Sequence, residues 1–395
     1  MKTLICLRRA LVITLAATSL SAAQSTIPDR LSDYDFWKLV NDVSEPGGYF
    51  RSDNFLSNEL GFQYPIPELK RTTKPGGVYL GVGPEQNFTY IVALQPKMAV
   101  IFDIRRQNMI EHLMYKALIE TSPDRATFLA KLFSRKRPDG LDTASTVTAL
   151  FNAYVEAPVD SAAYRSNLAA IKDRLARVHG FALSSADSSG LDYVYSAFFE
   201  AGVLLNYSFR PGSGAIAAGR GTITVNNVVV GAGGTTQVYR ISGFGRGMAT
   251  YSELQTATDG AGNYLAYLGS EANYRWLRDM ETRNMLVPVV GNFAGPKAIR
   301  AVGDYLRAHN ATVTAFYLSN VEQYLFQQAD DWKNWFENVA TLPLDPSSTF
   351  IRSGRGGTAT GVTGLASLLA SMQEQVKAFK EGKIQTYWDV ISTSH

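Results

Sequence analysis

Cysteine is almost missing from this 395-residue chain: Cys6 is the one example, and it precedes the first apolar run. Beyond it no disulfide can form, no thiol nucleophile exists and no Cys-type zinc site can be built. Histidine is scarce as well, with four residues in no H-E-x-x-H or paired spacing, so no metal site is expected. The G-x-S-x-G elbow of serine hydrolases and the G-x-x-x-x-G-K-[ST] phosphate loop are both missing. No apolar run reaches the roughly 20 residues that cross a bilayer, so no membrane span is expected to remain after loss of a leader. There is little charge of one sign. The formal excess of +3 equals the contribution of Lys2, Arg8 and Arg9, which leaves no global field to draw the body onto nucleic acid. The Gly-rich stretches 212–221 and 354–357 carry Arg220, Arg352 and Arg355, but too few aromatics for a base-stacking platform. What is present is 46% apolar sequence with 33 Gly and 15 Pro, the composition of a packed globular body with two to three domains' worth of chain.

Lys2, Arg8 and Arg9 precede the apolar run Ala10 to Leu20, and Ser21-Ala22-Ala23 supplies small residues before Gln24. This layout predicts a secretory signal peptide over 1–23 and an exported product, periplasmic or secreted, with a retained anchor as the alternative. Residues 24–72 read as an N-terminal arm: a short helix around Phe36 and Trp37, then an irregular, Pro-rich stretch lying on a core.

The first half of a Rossmann-like domain is expected over 73–122. Val78-Tyr79-Leu80 is a short strand closing on Gly81-Val82-Gly83, Phe88 to Leu94 is helical, and Met98 to Phe102 is a continuous apolar strand ending at Asp103. Met109, Leu113, Met114 and Leu118 then fall on one helix face. Residues 123–210 read as a helical insertion and 211–247 as a Gly-rich β-hairpin, with one strand from Thr222 to Val230, a turn at 231–234 and a return strand at 237–241. The alternation resumes over 248–352: a helix near 270–283, a strand over 285–290 closing on Gly291 to Gly295, a helix opened by Pro296, a strand from Val313 to Leu318, an aromatic-faced helix with Trp332 and Trp335, and an edge strand from Thr349 to Arg352. A C-terminal loop (353–364) and a helix around 365–380 complete the chain. The fold class is therefore α/β, with a mainly parallel, Rossmann-like sheet.

Gly81-Val82-Gly83-Pro84-Glu85-Gln86-Asn87 follows a strand, and Asp103 ends the next one 20 residues beyond Gly83. In nucleotide-binding Rossmann halves such glycines admit a ligand close to the backbone, and such an acid bonds the ribose hydroxyls. Here Gln86 replaces the third glycine and Pro84 removes a donor, which suits a ligand without a pyrophosphate, such as S-adenosylmethionine, or else a purely structural strand-to-helix turn.

The blocks 76–88, 103–108, 289–297 and 319–324 resemble a family of uncharacterised bacterial proteins that is similar in fold to S-adenosylmethionine-dependent methyltransferases. The resemblance spans about Glu45 to Arg352, with the Gly-rich hairpin as an addition. It implies a methyltransferase-type sheet with the cofactor over Gly81, Gly83 and Glu85, its ribose near Asp103, and its remaining edge beside Asn292 and Asn320. Methyl transfer depends largely on positioning, so no catalytic residue is assigned. Substrate candidates are Arg105 and Arg106, able to clamp an anion or to form surface ion pairs; Tyr251 and Asp259, with Glu253, at a substrate mouth or merely solvated; and Glu322 and Tyr324 past a later strand. His112 reads as a hydrogen-bonded structural histidine, and His179 as a cation at a helix end. The functional expectation is a small polar ligand at the strand ends. The alternatives are a cofactor-free periplasmic binding protein and an interaction protein reusing the same cleft.

Overall fold

Val78–Val82 (β1) and Met98–Asp103 (β2) are buried at every position, as parallel strands covered on both faces must be. A computed structural model describes residues 25–212, 223–225, 228–230, 248–355 and 365–395. The remaining strands are Ile223–Val225 (β3), Val228–Val230 (β4), Leu286–Val290 (β5), Val313–Ser319 (β6), Leu344–Arg355 (β7) and Leu365–Ser371 (β8). Six of them form one sheet in the order β5-β2-β1-β6-β7-β8, parallel throughout except for β8, which pairs antiparallel with β7. The chain steps outward from β1 through β2 to β5, then returns to β6 on the other side of β1. This is a Rossmann-like α/β sheet with its topological switch between β1 and β6. The register pairs Val82 with Phe102 and Asp103 with Val290, so β1, β2 and β5 finish along one edge, where open α/β sheets bind ligands.

The helical insertion is observed as Arg125–Phe133, Val147–Glu156, Ser161–Asp173 and Ser185–Ala201. Side chains cap their starts: Asp124 accepts from the Thr127 amide at 2.7 Å, and Ser184 with Asp187 forms a capping box. The helix Arg106–Glu120 lies between these helices and the sheet, and from Asn108 to Glu120 every residue is buried. Its polar side chains are therefore enclosed. The N-terminal arm holds the helix Asp33–Val43 against the core through Phe36, Val40 and Val43. It then crosses the strand ends, where the Glu45 amide donates to the Val290 carbonyl (2.8 Å) and the Gly48 amide to Ile104 (2.7 Å).

Two sequence expectations change. Thr349 to Arg352 is not an edge strand: β7 is longer and interior, and the edge is β8, which occupies the start of the segment read as a helix. Met372–Lys380 alone is helical there. In the hairpin, Val225 pairs with Val228, so the chain reverses inside the stretch read as one strand. The expected turn at 231–234 and return strand at 237–241 lie outside the described residues, as do 1–24.

Candidate functional site

A cleft of about 330 Å³ opens at the C-terminal ends of β1, β2, β5 and β6. Its sheet side is made by Val82-Gly83-Pro84, Asp103-Ile104-Arg105, Gly291-Asn292-Phe293, Tyr317, Ser319 and Asn320. The arm supplies Tyr49, Phe50, Asn54, Leu56, Ser57 and Asn58, and Tyr207 and Tyr324 add further aromatic wall. Phe50 meets Tyr324 edge-on at 5.3 Å, joining the arm to the β6 side.

The glycine turn is built by one side chain. Asn87 Nδ2 donates to the carbonyls of Val82 (2.9 Å), Gly83 (3.3 Å) and Pro84 (2.7 Å), and its Oδ1 accepts from the Tyr79 hydroxyl at 2.9 Å. A Cβ on residue 81 would lie 1.9 Å from Asn87 Oδ1, so only glycine fits. Gly83 has φ +78°, and nothing lies within 4 Å of a Cβ built there: the turn is left-handed with open space above it. His112 Nε2 holds the Gly83 carbonyl at 2.8 Å from behind. Burial pushes this imidazole down to about 4, so near neutral pH it is uncharged and Nε2 carries the proton.

Asp103 is already engaged. Its Oδ1 accepts from the Arg105 amide (2.8 Å) and Nε (2.9 Å), and its Oδ2 from Nη2 (2.6 Å), with both side chains buried. Arg105 Nη1 continues to the Asp53 and Ser52 carbonyls, fastening the arm. Oδ2 accepts a single bond and keeps acceptor capacity. Of the charged lining residues, Asp103 and Arg105 neutralise one another and Asp331 remains. The neighbouring loop is closed by Glu45, whose carboxylate accepts from the amides of Asn292 (3.2 Å), Lys297 (2.8 Å) and Ala298 (2.7 Å). That carboxylate occupies the start of the helix Ala298–Ala308, the position a phosphate would favour.

Gly83, Asp103, Arg105, Asn292, Asn320 and Tyr324 thus come together in the cleft. The other sequence candidates lie elsewhere. Gly81 is packed under the turn, and Glu85 is buried behind it. Arg106 pairs with Asp187 (2.6 Å), and Glu322 is buried against Arg352 and the Trp335 indole N–H (3.0 Å). Tyr251 is buried with its hydroxyl on Tyr267, while Asp259 organises its own loop by accepting from Ala261 and Asn263. Glu253 completes a capping box with Thr250, and His179 bridges Asp33 (2.8 Å) and Glu120 (2.7 Å). Sequence reasoning missed the arm's contribution. It also missed Glu59, a buried arm residue accepting from Tyr317 (2.9 Å), Ser319 (2.5 Å) and Gln86 (3.2 Å), which fixes the end of β6 where Ser319 adopts φ +49°. The one signal for the arm was Tyr49-Phe50 following Gly47-Gly48.

No curated protein matches the chain. A family model described as a domain of unknown function, DUF7790, matches residues 55–188 and 234–385. Those stretches include Gly83, Asp103, Asn292, Asn320 and Tyr324, and they begin just after the arm's Asn54. With well over half of its length matched, the chain belongs to the DUF7790 family.

Proposed function

We propose that this protein binds a small, ring-bearing polar ligand without phosphate groups, of the nucleoside type, in the switch-point cleft, with S-adenosylmethionine the first ligand to test. The observation that carries this reading is the lining: six aromatic and five side-chain amide residues around one self-neutralised ion pair, at the sheet edge where such ligands bind. The open face of Gly83 suits close approach of a ligand, and Asp103 Oδ2 has room for a ribose hydroxyl. A phosphate finds no free Arg or Lys in the lining, and Glu45 holds the adjacent helix start. S-adenosylmethionine, when bound, would supply an activated methyl group. This chain's part would be to orient the ligand against Tyr317, Tyr324 and Phe293 and to exclude water with the arm.

A cofactor-free binding protein is the second reading, and the pairing of Arg105 with Asp103 favours it, since the acid expected to take the ribose already has a partner. The export expected from residues 1–23 belongs to this proposal and is tested by N-terminal sequencing of the protein recovered outside the cytoplasm.

Isothermal titration with S-adenosylmethionine, S-adenosylhomocysteine, adenosine and ATP tests the nucleoside reading. Saturable binding of the first three, with ATP no better, is expected. Tyr324→Ala should weaken it by about 10- to 100-fold if the ring stacks on the ligand, with the unfolding midpoint little changed. Absence of binding by all four removes the nucleoside reading and leaves the second.

A further inference from the structure

The charges and rings around the cleft are arranged for a cation rather than an anion. Arg105 is the one cation in the lining, and its guanidinium is taken by Asp103 and the arm carbonyls. Asp331 is not balanced in this way. It opens the helix Asp331–Val339 and lines the cleft together with Tyr324 and Gln328, yet its half-buried carboxylate has no ion pair and no side-chain hydrogen bond among the described residues. Lys333, on the same helix, is held by Asp330 at 2.9 Å and lies over the Trp332 ring. Arg51 of the arm is exposed and outside the lining. The positive end of a helix favours an acid at this position, but its partial charge of about one half does not cancel a full one.

A second carboxylate stands behind the wall. Glu59 accepts from Tyr317 and Ser319, both in the lining, and from Gln86. All three donors are neutral, and no cation pairs with Glu59 among the described residues. The wall itself is aromatic: Phe50 and Tyr324 meet at 5.3 Å and 89°, the two sides of a corner, with Tyr207 and the exposed Tyr49 in the same lining. Aromatic faces attract a cation through their quadrupole, most strongly where water is displaced, and such corners are the elements of the cages that hold quaternary ammonium groups.

We propose that the ligand of this cleft carries an onium group, a quaternary ammonium, sulfonium or protonated amine, seated in the Phe50–Tyr324 corner with Asp331 as its counter-ion. The inference rests on the cleft being the ligand site, as proposed above, but does not need the ligand to be a nucleoside. Asp331 then sets the charge class of the ligand. A neutral ligand of the same shape keeps the ring contacts and loses the Coulombic attraction, whereas an anionic one meets an uncompensated carboxylate. Onium groups suit this wall better than sodium or potassium ions, because their weakly hydrated carbon surface also packs on the rings.

The test compares charged and uncharged ligands of one shape by isothermal titration of the whole protein at fixed ionic strength. Choline is set against dimethylbutanol, its neutral carbon isostere, and adenosine against aminodeoxyadenosine, which carries a primary amine in place of the sugar's primary hydroxyl. The charged member of a pair is expected to bind at least about 10-fold more tightly, and the preference should shrink as sodium chloride is raised. Asp331→Asn keeps the size of the side chain at a half-buried helix start, so it should fold with a nearly unchanged midpoint and bring the ratio close to one. Equal affinity within both pairs, or a preference that survives Asp331→Asn, overturns the onium assignment; where adenosine still binds, the nucleoside reading stands without it. Conversely, choline held over dimethylbutanol with neither nucleoside bound removes the nucleoside reading and keeps the onium group. Failure of all four probes overturns both.

Discussion

Asn87 does at the turn what no backbone ladder could: a single primary amide satisfies three consecutive carbonyls. Its position is possible only because residue 81 has no side chain. Gly81→Ala would set a methyl 1.9 Å from Asn87 Oδ1 and 2.9 Å from the Tyr79 ring, and an overpacking cost of about 1–3 kcal/mol is expected in urea unfolding. Asn87→Ala should cost at least as much, since the buried Tyr79 hydroxyl loses its acceptor and the Val82 carbonyl loses this donor, at about 1–3 kcal/mol for a group left unpaired, while His112 still holds the Gly83 carbonyl. The two substitutions together should cost clearly less than their sum, because the new methyl enters the space the amide vacated. Strict additivity would show that the contact does not limit residue 81. The turn was legible in the sequence because glycines, proline and Asp103 are spaced locally along one strand-helix-strand unit. Glu45 and Glu59 were not, because each acts on residues some 250 positions away, and nothing in the local pattern distinguishes such an acid from a solvated one. The same limit applied to Glu322, whose partner Arg352 lies 30 positions further on, in β7.

At the scale of elements, the alternation of strand and helix was readable wherever an apolar run was closed by glycine or asparagine. It failed at β8. Leu365-Ala-Ser-Leu-Leu-Ala-Ser is rich in helix-forming leucine and alanine, yet pairing with β7 from Arg355–Leu365 to Thr349–Ser371 holds it extended. Tertiary pairing overrides propensity here, and Ser371 then caps the true helix by accepting from the Glu374 amide at 3.3 Å. Covering β7 in this way buries Arg352, and its guanidinium meets Glu322 on the short helix Val321–Leu325 beside the Trp335 indole. Removing one partner strands the other charge, so Arg352→Met alone should destabilise by about 3–5 kcal/mol. Adding Glu322→Leu should recover much of that loss, because a well-packed apolar pair avoids both desolvation costs. Chemical denaturation of the single and double variants checks this. A double variant no better than the single would mean that the Trp335 hydrogen bond, rather than the unpaired charge, dominates.

Across the whole molecule, enclosing a polar helix between sheet and inserted helices places several carboxyl groups out of water, and they respond to pH in opposite directions. Burial opposes ionisation of Glu120, but the hydrogen bond from His179 and the charge of Lys116 hold it down to about 2. Its stabilising contribution is present above the ordinary 4.5 and is lost as pH falls toward 2. Glu281 behaves the other way. Burial pushes it up to about 8, Lys116 offsets this in part and Glu120 adds to it, while the Lys116 ammonium is spent on the Glu281 backbone carbonyl (2.5 Å) and the Glu120 carboxylate (2.7 Å). Folding with Glu281 neutral is unpenalised below 4.5, and its contribution is lost as pH rises from there through 8, at up to about 1.4 kcal/mol per unit. Glu281→Gln removes that titration without changing shape. Its stability relative to the parent should therefore climb by about 2–4 kcal/mol between pH 5 and pH 8 and level off above, whereas the acid-side loss set by Glu120 should stay. Parallel urea-unfolding profiles for parent and variant over this range would mean that Glu281 reaches a proton partner or solvent in the folded protein, and that its own helix, Glu271–Thr282, packs more loosely on the helix Arg106–Glu120 than its burial implies.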